Sequence, residues 1–201
     1  MYTVNSDGFI RFWQFIGPFP NYEKENAFHV DFLNGEAGIK AAEKRTFQAV
    51  FDATPAGRAL ERSLWFNGKA EKKVLDLHWR PVEFSAGITN PVFEEITDLP
   101  FVDRMAYYVF CKVISDTEKE VILSIGSDDG NKSYFNGKLC SAVNPSSRGV
   151  VPESEQARVM LKKGENHLLL KVCQGQGRTG HAVRFLDPVS KKPVTDIKIA
   201  L

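Results

Sequence analysis

Two carboxylates stand side by side in Ser127-Asp128-Asp129-Gly130, between two runs that read as strands. Neighbouring like charges repel unless they are solvated, paired or bound to a cation. Their oxygens could hold Ca²⁺ or accept hydrogen bonds from sugar hydroxyls. Asp and Gly also form turns readily, so the same four residues read as a plain connection, and both readings stand at this level. Arg148 and Arg184 could each grip a carboxylate bidentately, or close an ion pair within the chain. Trp13, Trp65 and Trp79 carry flat rings of the kind that stack on sugars. Trp13 beside Phe12 and Trp79 beside Leu77 read more readily as core, and Trp65 stays undecided.

Other chemistry is excluded more sharply. Gly175, Gly177 and Gly180 spell GxGxxG after an apolar run. A dinucleotide site needs a helix directly behind the last glycine, to aim its N-terminus at the pyrophosphate. His181–Leu186 reads instead as a short strand closed by Pro188, so a hairpin loop that binds no nucleotide is expected. His29, His78, His167 and His181 show no metal-ligand spacing, and no GxSxG elbow is present. Cys111, Cys140 and Cys173 form no CxxC, and each lies in or beside an apolar run, so all three are expected to be buried, reduced and inert.

These residues must be positioned by strands. Aromatics supply 11% of the 201 residues, with 15 Phe, enough bulk for a sizeable core. The 26 Lys+Arg and 25 Asp+Glu nearly cancel, which argues against nucleic acid as a partner. No apolar run approaches the roughly 20 residues of a membrane span. Asp7 and Arg11 fall where a secretory signal would carry its apolar stretch, so no signal peptide is expected. From Met105 onward apolar runs alternate with turn signals: Met105–Ser115 (apolar on both faces, as in a central strand), Glu120–Ser127, Lys132–Phe135, Lys138–Val143, Ala157–Lys162, Asn166–Cys173, Ala182–Leu186 and a last strand near Thr195–Leu201. Asn136-Gly137 predicts a two-residue hairpin turn. Upstream, Phe9–Ile16 reads as a strand stopped by Gly17-Pro18, Asn34–Arg45 as helix-friendly, Gly57–Leu64 as a short helical turn and Val74–Trp79 as a strand. Phe-Asn-Gly-Lys occurs at 66–69 and 135–138 with unlike flanks, which suggests two turns, not a duplication. No linker-like tract divides residues 1–201, so a single domain is expected, with 34–66 as a less regular insertion or crossover.

The ordered set Trp13-Gln-Phe-Ile-Gly-Pro-Phe19, Leu77-His-Trp79-Arg-Pro-Val82, Ala106-Tyr107-Tyr108, Leu123-Ser-Ile-Gly-Ser-Asp-Asp-Gly130, Tyr134-Phe-Asn-Gly-Lys138, Arg148, Leu161-Lys-Lys-Gly-Glu-Asn166, Leu169-Leu-Lys-Val172 and Arg184-Phe185 resembles the galactose-binding-like jelly-roll modules of bacterial secreted, often carbohydrate-active, proteins. The resemblance implies an all-β, two-sheet antiparallel β-sandwich of jelly-roll type. It implies a non-catalytic carbohydrate-binding or accessory module of a larger polysaccharide-processing protein, periplasmic or extracellular, with a glycan and neighbouring domains as partners. Asp128 and Asp129 also resemble the paired aspartates of lectin-type sandwiches that hold calcium and sugar together, which makes them candidate Ca²⁺ ligands. The candidate carbohydrate-binding residues are Asp128, Asp129, Arg148, Trp79 and Trp13. A glycan-degrading jelly-roll enzyme, lyase or hydrolase, and a purely structural or protein-interaction sandwich are the rival readings.

Overall fold

The computed structural model describes residues 1–21, 26–38, 46–52, 72–89, 104–145 and 147–201. In chain order the elements are β1 (Tyr2–Thr3), β2 (Phe12–Pro20), α1 (Asn26–His29), β3 (Thr46–Asp52), β4 (Lys72–His78), β5 (Arg80–Glu83), β6 (Ile88–Thr89), β7 (Met105–Ser115), β8 (Lys119–Asp128), β9 (Gly130–Phe135), β10 (Lys138–Val143), β11 (Glu155–Leu161), β12 (Gly164–Cys173), β13 (Gly180–Leu186) and β14 (Ile197–Ala200). The large sheet runs β1-β14-β7-β12-β9-β10, with β2 beside β7 and β5 beside β2; the small sheet runs β11-β8-β13-β6. All pairings are antiparallel.

The centre of the fold is a ribbon doubled back on itself. β7 pairs with β12, β8 with β11 and β9 with β10, so the six strands form one long hairpin whose tip is Asn136-Gly137. That tip has φ of 49° and 80°, the doubly positive geometry expected of Asn-Gly. Pairing of β9 with β12 rolls the ribbon up, and this roll is what makes the sandwich a jelly roll. Tyr107, Val109, Leu168, Leu170 and Val172 share one buried cluster with Leu123, Ile125, Val183 and Phe185 of the small sheet. The Phe135 and Phe185 rings meet across it at 5.8 Å.

The other face of the large sheet is equally apolar, so it needs a cover. Phe19 stacks on Phe32 at 4.7 Å and meets Phe47 edge-on, while Trp79 packs against Phe110. Residues 26–38 and the β3–β4 hairpin supply this third layer, which is why β7 is buried on both sides.

The elements depart from the sequence reading in three places. β2 does not stop at Gly17-Pro18 but runs on to Pro20 through a register shift between Ile16 and Phe19. A side chain at Gly17 would place its Cβ 2.8 Å from that of Tyr107, so glycine lets the strand stay against β7 while it shifts. Of the helix expected over Asn34–Arg45, the described part holds a single tight turn at 36–38, and α1 lies earlier, at Asn26–His29. The reason is Asp31, whose carboxylate accepts from the N–H groups of Leu33, Gly35 and Glu36 and folds the segment into a turn. β3 falls inside 34–66, while residues 39–45, Gly57–Leu64, Trp65 and the first Phe-Asn-Gly-Lys lie outside the described residues.

Buried polar groups fix the third layer to the sheet. Lys171, with no exposed surface, donates to Glu36 Oε1 at 2.8 Å. Tyr108 and Tyr134 donate to the two Glu36 oxygens at 2.6 and 2.7 Å. The Lys171 ammonium also bonds the Val30 carbonyl and lies 5.4 Å from the Phe32 ring. Burial and the Glu36 charge push the Tyr108 and Tyr134 hydroxyls upward, so both stay protonated donors.

Candidate functional site

The strands that leave the small sheet for the large one turn at Asp128-Asp129, between β8 and β9. At this end the β8–β9, β10–β11 and β12–β13 connections meet. The opposite end carries the tight turns at 116–118, 136–137 and 162–163 together with the β13–β14 connection at 187–196. Loops gathered on a rigid frame are where binding groups concentrate.

Asp129 is built in. Its Oδ1 accepts from the Arg148 N–H and its Oδ2 from the Gly175 N–H, both at 2.8 Å. The aspartate therefore ties together the two loops that flank the corner. The glycine-rich loop thus spends an N–H on an internal carboxylate, and β13 begins at Gly180 where a dinucleotide site would start a helix.

Asp128 is the unsettled member of the pair. Only 9% of its surface is exposed, and its carboxyl is pushed up to about 7 from 3.8. Burial is the main cause, followed by the Asp129 charge; Arg148 partly offsets both. The Asp129 carboxylate lies within hydrogen-bonding reach and favours the protonated form of Asp128. The Asp128 carbonyl accepts from Thr179 Oγ1 at 2.9 Å, and the Asp128 charge helps push the buried Tyr107 hydroxyl upward.

Arg148 belongs to the same corner, but its guanidinium is committed inward. Nε donates to the carbonyls of Ser127 and Asp129 at 2.9 and 2.8 Å, Nη2 donates to Ser127 Oγ at 2.6 Å, and the group pairs with Glu155. Asn131 extends this network, donating to Ser127 Oγ and Glu155. Arg148 is therefore a brace for the carboxylate pair and has little left to offer a ligand. Arg184 likewise pairs with Glu153 and lies over the Phe9 ring.

The two described tryptophans, Trp13 and Trp79, are not platforms. Trp13 has no exposed surface and donates from Nε1 to the Ile10 carbonyl; Trp79 is 8% exposed, against Phe110. Neither ring presents a face on which a sugar could stack, so the candidate roles of Trp13 and Trp79 at a glycan are corrected to core packing. The histidines do not converge either. Among the described residues no group of three or more His, Cys, Asp or Glu is arranged to hold a metal ion. A Ca²⁺ ion takes six to eight oxygens. Two carboxylates, one already saturated by backbone N–H groups, are a poor fit to a bare ion and a better one to a ligand that brings its own hydroxyls.

The cysteines are free, and burial raises each thiol, Cys173 to about 12. Cys140 departs from expectation in being only half-buried, because β10 is an edge strand. Native protein at pH 8 should take up a maleimide slowly, at Cys140 alone. Rapid modification of Cys111 or Cys173 before unfolding would contradict the packing.

Sequence reasoning missed the Glu36–Lys171 pair. Its signal was a lysine inside the apolar run Leu168-Leu-Leu-Lys-Val-Cys173, where a charge must have a partner.

No protein-family model and no curated protein matches the chain. Distant likeness appears among solved structures. The epithelial adhesin 9 A domain from Candida glabrata, in complex with Galβ1-3GlcNAc, aligns at TM-score 0.45 and 10% identity over 100% of this chain and 97% of that one. The PA14 domain of the MpAFP antifreeze protein aligns at 0.44 and 11% over 60% and 74%. An anti-sigma factor domain-containing protein aligns at 0.40 and 14% over 47% of this chain, which spans 32% of that protein's length. Likeness this remote says nothing about a ligand. No helix among the described residues is long and apolar enough to cross a membrane.

Proposed function

We propose that the chain is a non-catalytic carbohydrate-binding module, the accessory part of a larger bacterial polysaccharide-processing protein acting in the periplasm or outside the cell. The glycan meets it at the Asp128-Asp129 corner. The observation that carries this reading is the carboxylate pair itself. Asp129 is pinned by two backbone N–H groups, whereas Asp128 is a raised, under-compensated carboxyl at the loop-bearing end. Sugar hydroxyls donating to Asp128 would relieve the repulsion that protonation of Asp128 otherwise relieves. A calcium ion completed by the sugar's own hydroxyls would do the same and release the proton.

The rival glycosidase reading draws on the same raised carboxyl, a general acid in waiting. Geometry weighs against it. Hydrolases hold their two carboxyls about 5–9.5 Å apart to admit the sugar and a water. Asp128 and Asp129 are within hydrogen-bonding reach of each other.

Asp128→Asn is the discriminating variant, because Asp129→Asn would also break the loop ties. Asp128→Asn should stay folded and be more stable at pH 8 by about 1–2 kcal/mol, since it removes a partly screened repulsion. It should lose glycan binding at least tenfold on a polysaccharide panel run with calcium and with chelator. A panel that leaves the wild type without signal in both conditions removes the binding reading. Release of reducing ends, lost in the same variant, would favour the enzyme.

A further inference from the structure

The sandwich is open along one side, where β10 ends the large sheet and β11 ends the small one. Between these edges lies a slot of about 440 Å³, lined by Phe135, Leu139, Cys140, Val159 and Met160 among others. It lies away from the carboxylate corner and shares no residue with it. Leu139 and Met160 flank it with 55% and 48% of their surfaces exposed, unusual for large apolar side chains on paired strands.

Three features say what would fill it. First, β11 pairs with β8 in unbroken register from Glu155 to Leu161, and its second edge pairs with no strand among the described residues. Such an edge is a template for one more strand. β10 is a worse template, since its register shifts between Leu139 and Ser141. Second, a strand added to β11 would drop alternate side chains into the apolar slot, over Leu139 and Cys140. Third, the slot's charged lining is Lys138, Arg158 and Lys162, with no carboxylate in it. Arg158 pairs with Glu120 on β8, so the two lysines set the local sign. A second copy of this chain would bring the same cations against them, and a glycan would find few acceptors for its hydroxyls.

We infer that this slot docks an extended, acidic segment of another protein or domain. The segment adds as a strand to β11, with apolar residues alternating into the slot and Glu or Asp meeting Lys138 and Lys162.

The test is fluorescence anisotropy with a labelled nine-residue peptide alternating Glu with Leu and Val, beside a control in which every Glu is Lys. The acidic peptide should saturate the wild type with Kd on the order of 10–100 μM, weakening with salt, and the basic peptide should not bind. Lys138→Glu/Lys162→Glu should reverse that preference, and Met160→Asp should abolish binding of the acidic peptide; circular dichroism confirms that each variant is folded. The inference is overturned if the acidic peptide fails to bind at millimolar concentration, or if the charge-reversed protein binds it as well as wild type does. It is overturned equally if sedimentation shows a dimer that Met160→Asp dissolves, or if that variant removes binding of a polysaccharide. The Asp128→Asn variant should bind the peptide normally, which separates failure here from failure at the glycan corner.

Discussion

Lys171→Met should lower stability by about 3–5 kcal/mol, a fall in Tm of roughly 10 °C for a chain of this size. The lysine is fully buried and is the cation that compensates Glu36. Removing it leaves a carboxylate 6% exposed, held among the described residues by the Tyr108 and Tyr134 hydroxyls. The cost is the stranded charge more than the lost bond. Glu36→Gln in the same chain removes that charge and keeps an acceptor for one of the two tyrosines, while its NH2 group can donate to the other's hydroxyl oxygen, so the double variant should recover about 1–2 kcal/mol over Lys171→Met. Thermal melts of the two single variants and the double decide this. A Lys171→Met melt within about 1 kcal/mol of wild type would show that the third layer is held by its aromatic stack alone.

That network marks the limit of what could be read from sequence. β7 and β10 were legible to the residue, because a run apolar on both faces and an Asn-Gly turn are local signals. β8, β9 and β11 to β14 were legible to within a few residues for the same reason. The cover on the large sheet's outer face was implied by β7, yet which residues would form it was not. Glu36 and Lys171 are 135 positions apart, and only the fold brings them together. Asp31 shapes the turn at Leu33–Glu36, at the start of the helix-friendly stretch, which a reading of propensity alone does not weigh. At the corner, the carboxylate pair was legible as chemistry. Its asymmetry was not, since it comes from two backbone N–H groups supplied by loops distant in sequence. Tryptophan type likewise says nothing of which side of a sheet the ring takes, and Trp13 and Trp79 both took a covered one.

The second large effect is a pH dependence carried by two opposed groups at the same end of β8 and β13. His181 is buried, pairs with the Tyr107 hydroxyl through Nδ1 at 2.8 Å, and is pushed down to about 3 from 6.5 by burial. The unfolded chain therefore binds its proton first as pH falls below 6.5, so His181 withdraws stability progressively between 6.5 and about 3. That loss totals up to about 4–5 kcal/mol. Asp128 runs the other way. Its folded carboxyl is raised to about 7 from 3.8, so the folded chain binds that proton first. Its stabilising share is complete below 3.8 and is lost as pH rises through 7. Between about pH 4 and 6.5 the two slopes oppose each other. In Asp128→Asn only the histidine slope remains. The variant should be more stable than wild type at pH 8, and its advantage should shrink and then vanish as pH falls to 4. All other titrating groups are common to both proteins, so the difference between their melting curves isolates Asp128. A difference that stays constant from pH 8 to pH 4 would mean that Asp128 titrates normally in the folded chain, and the under-compensated carboxyl at the corner would go with it.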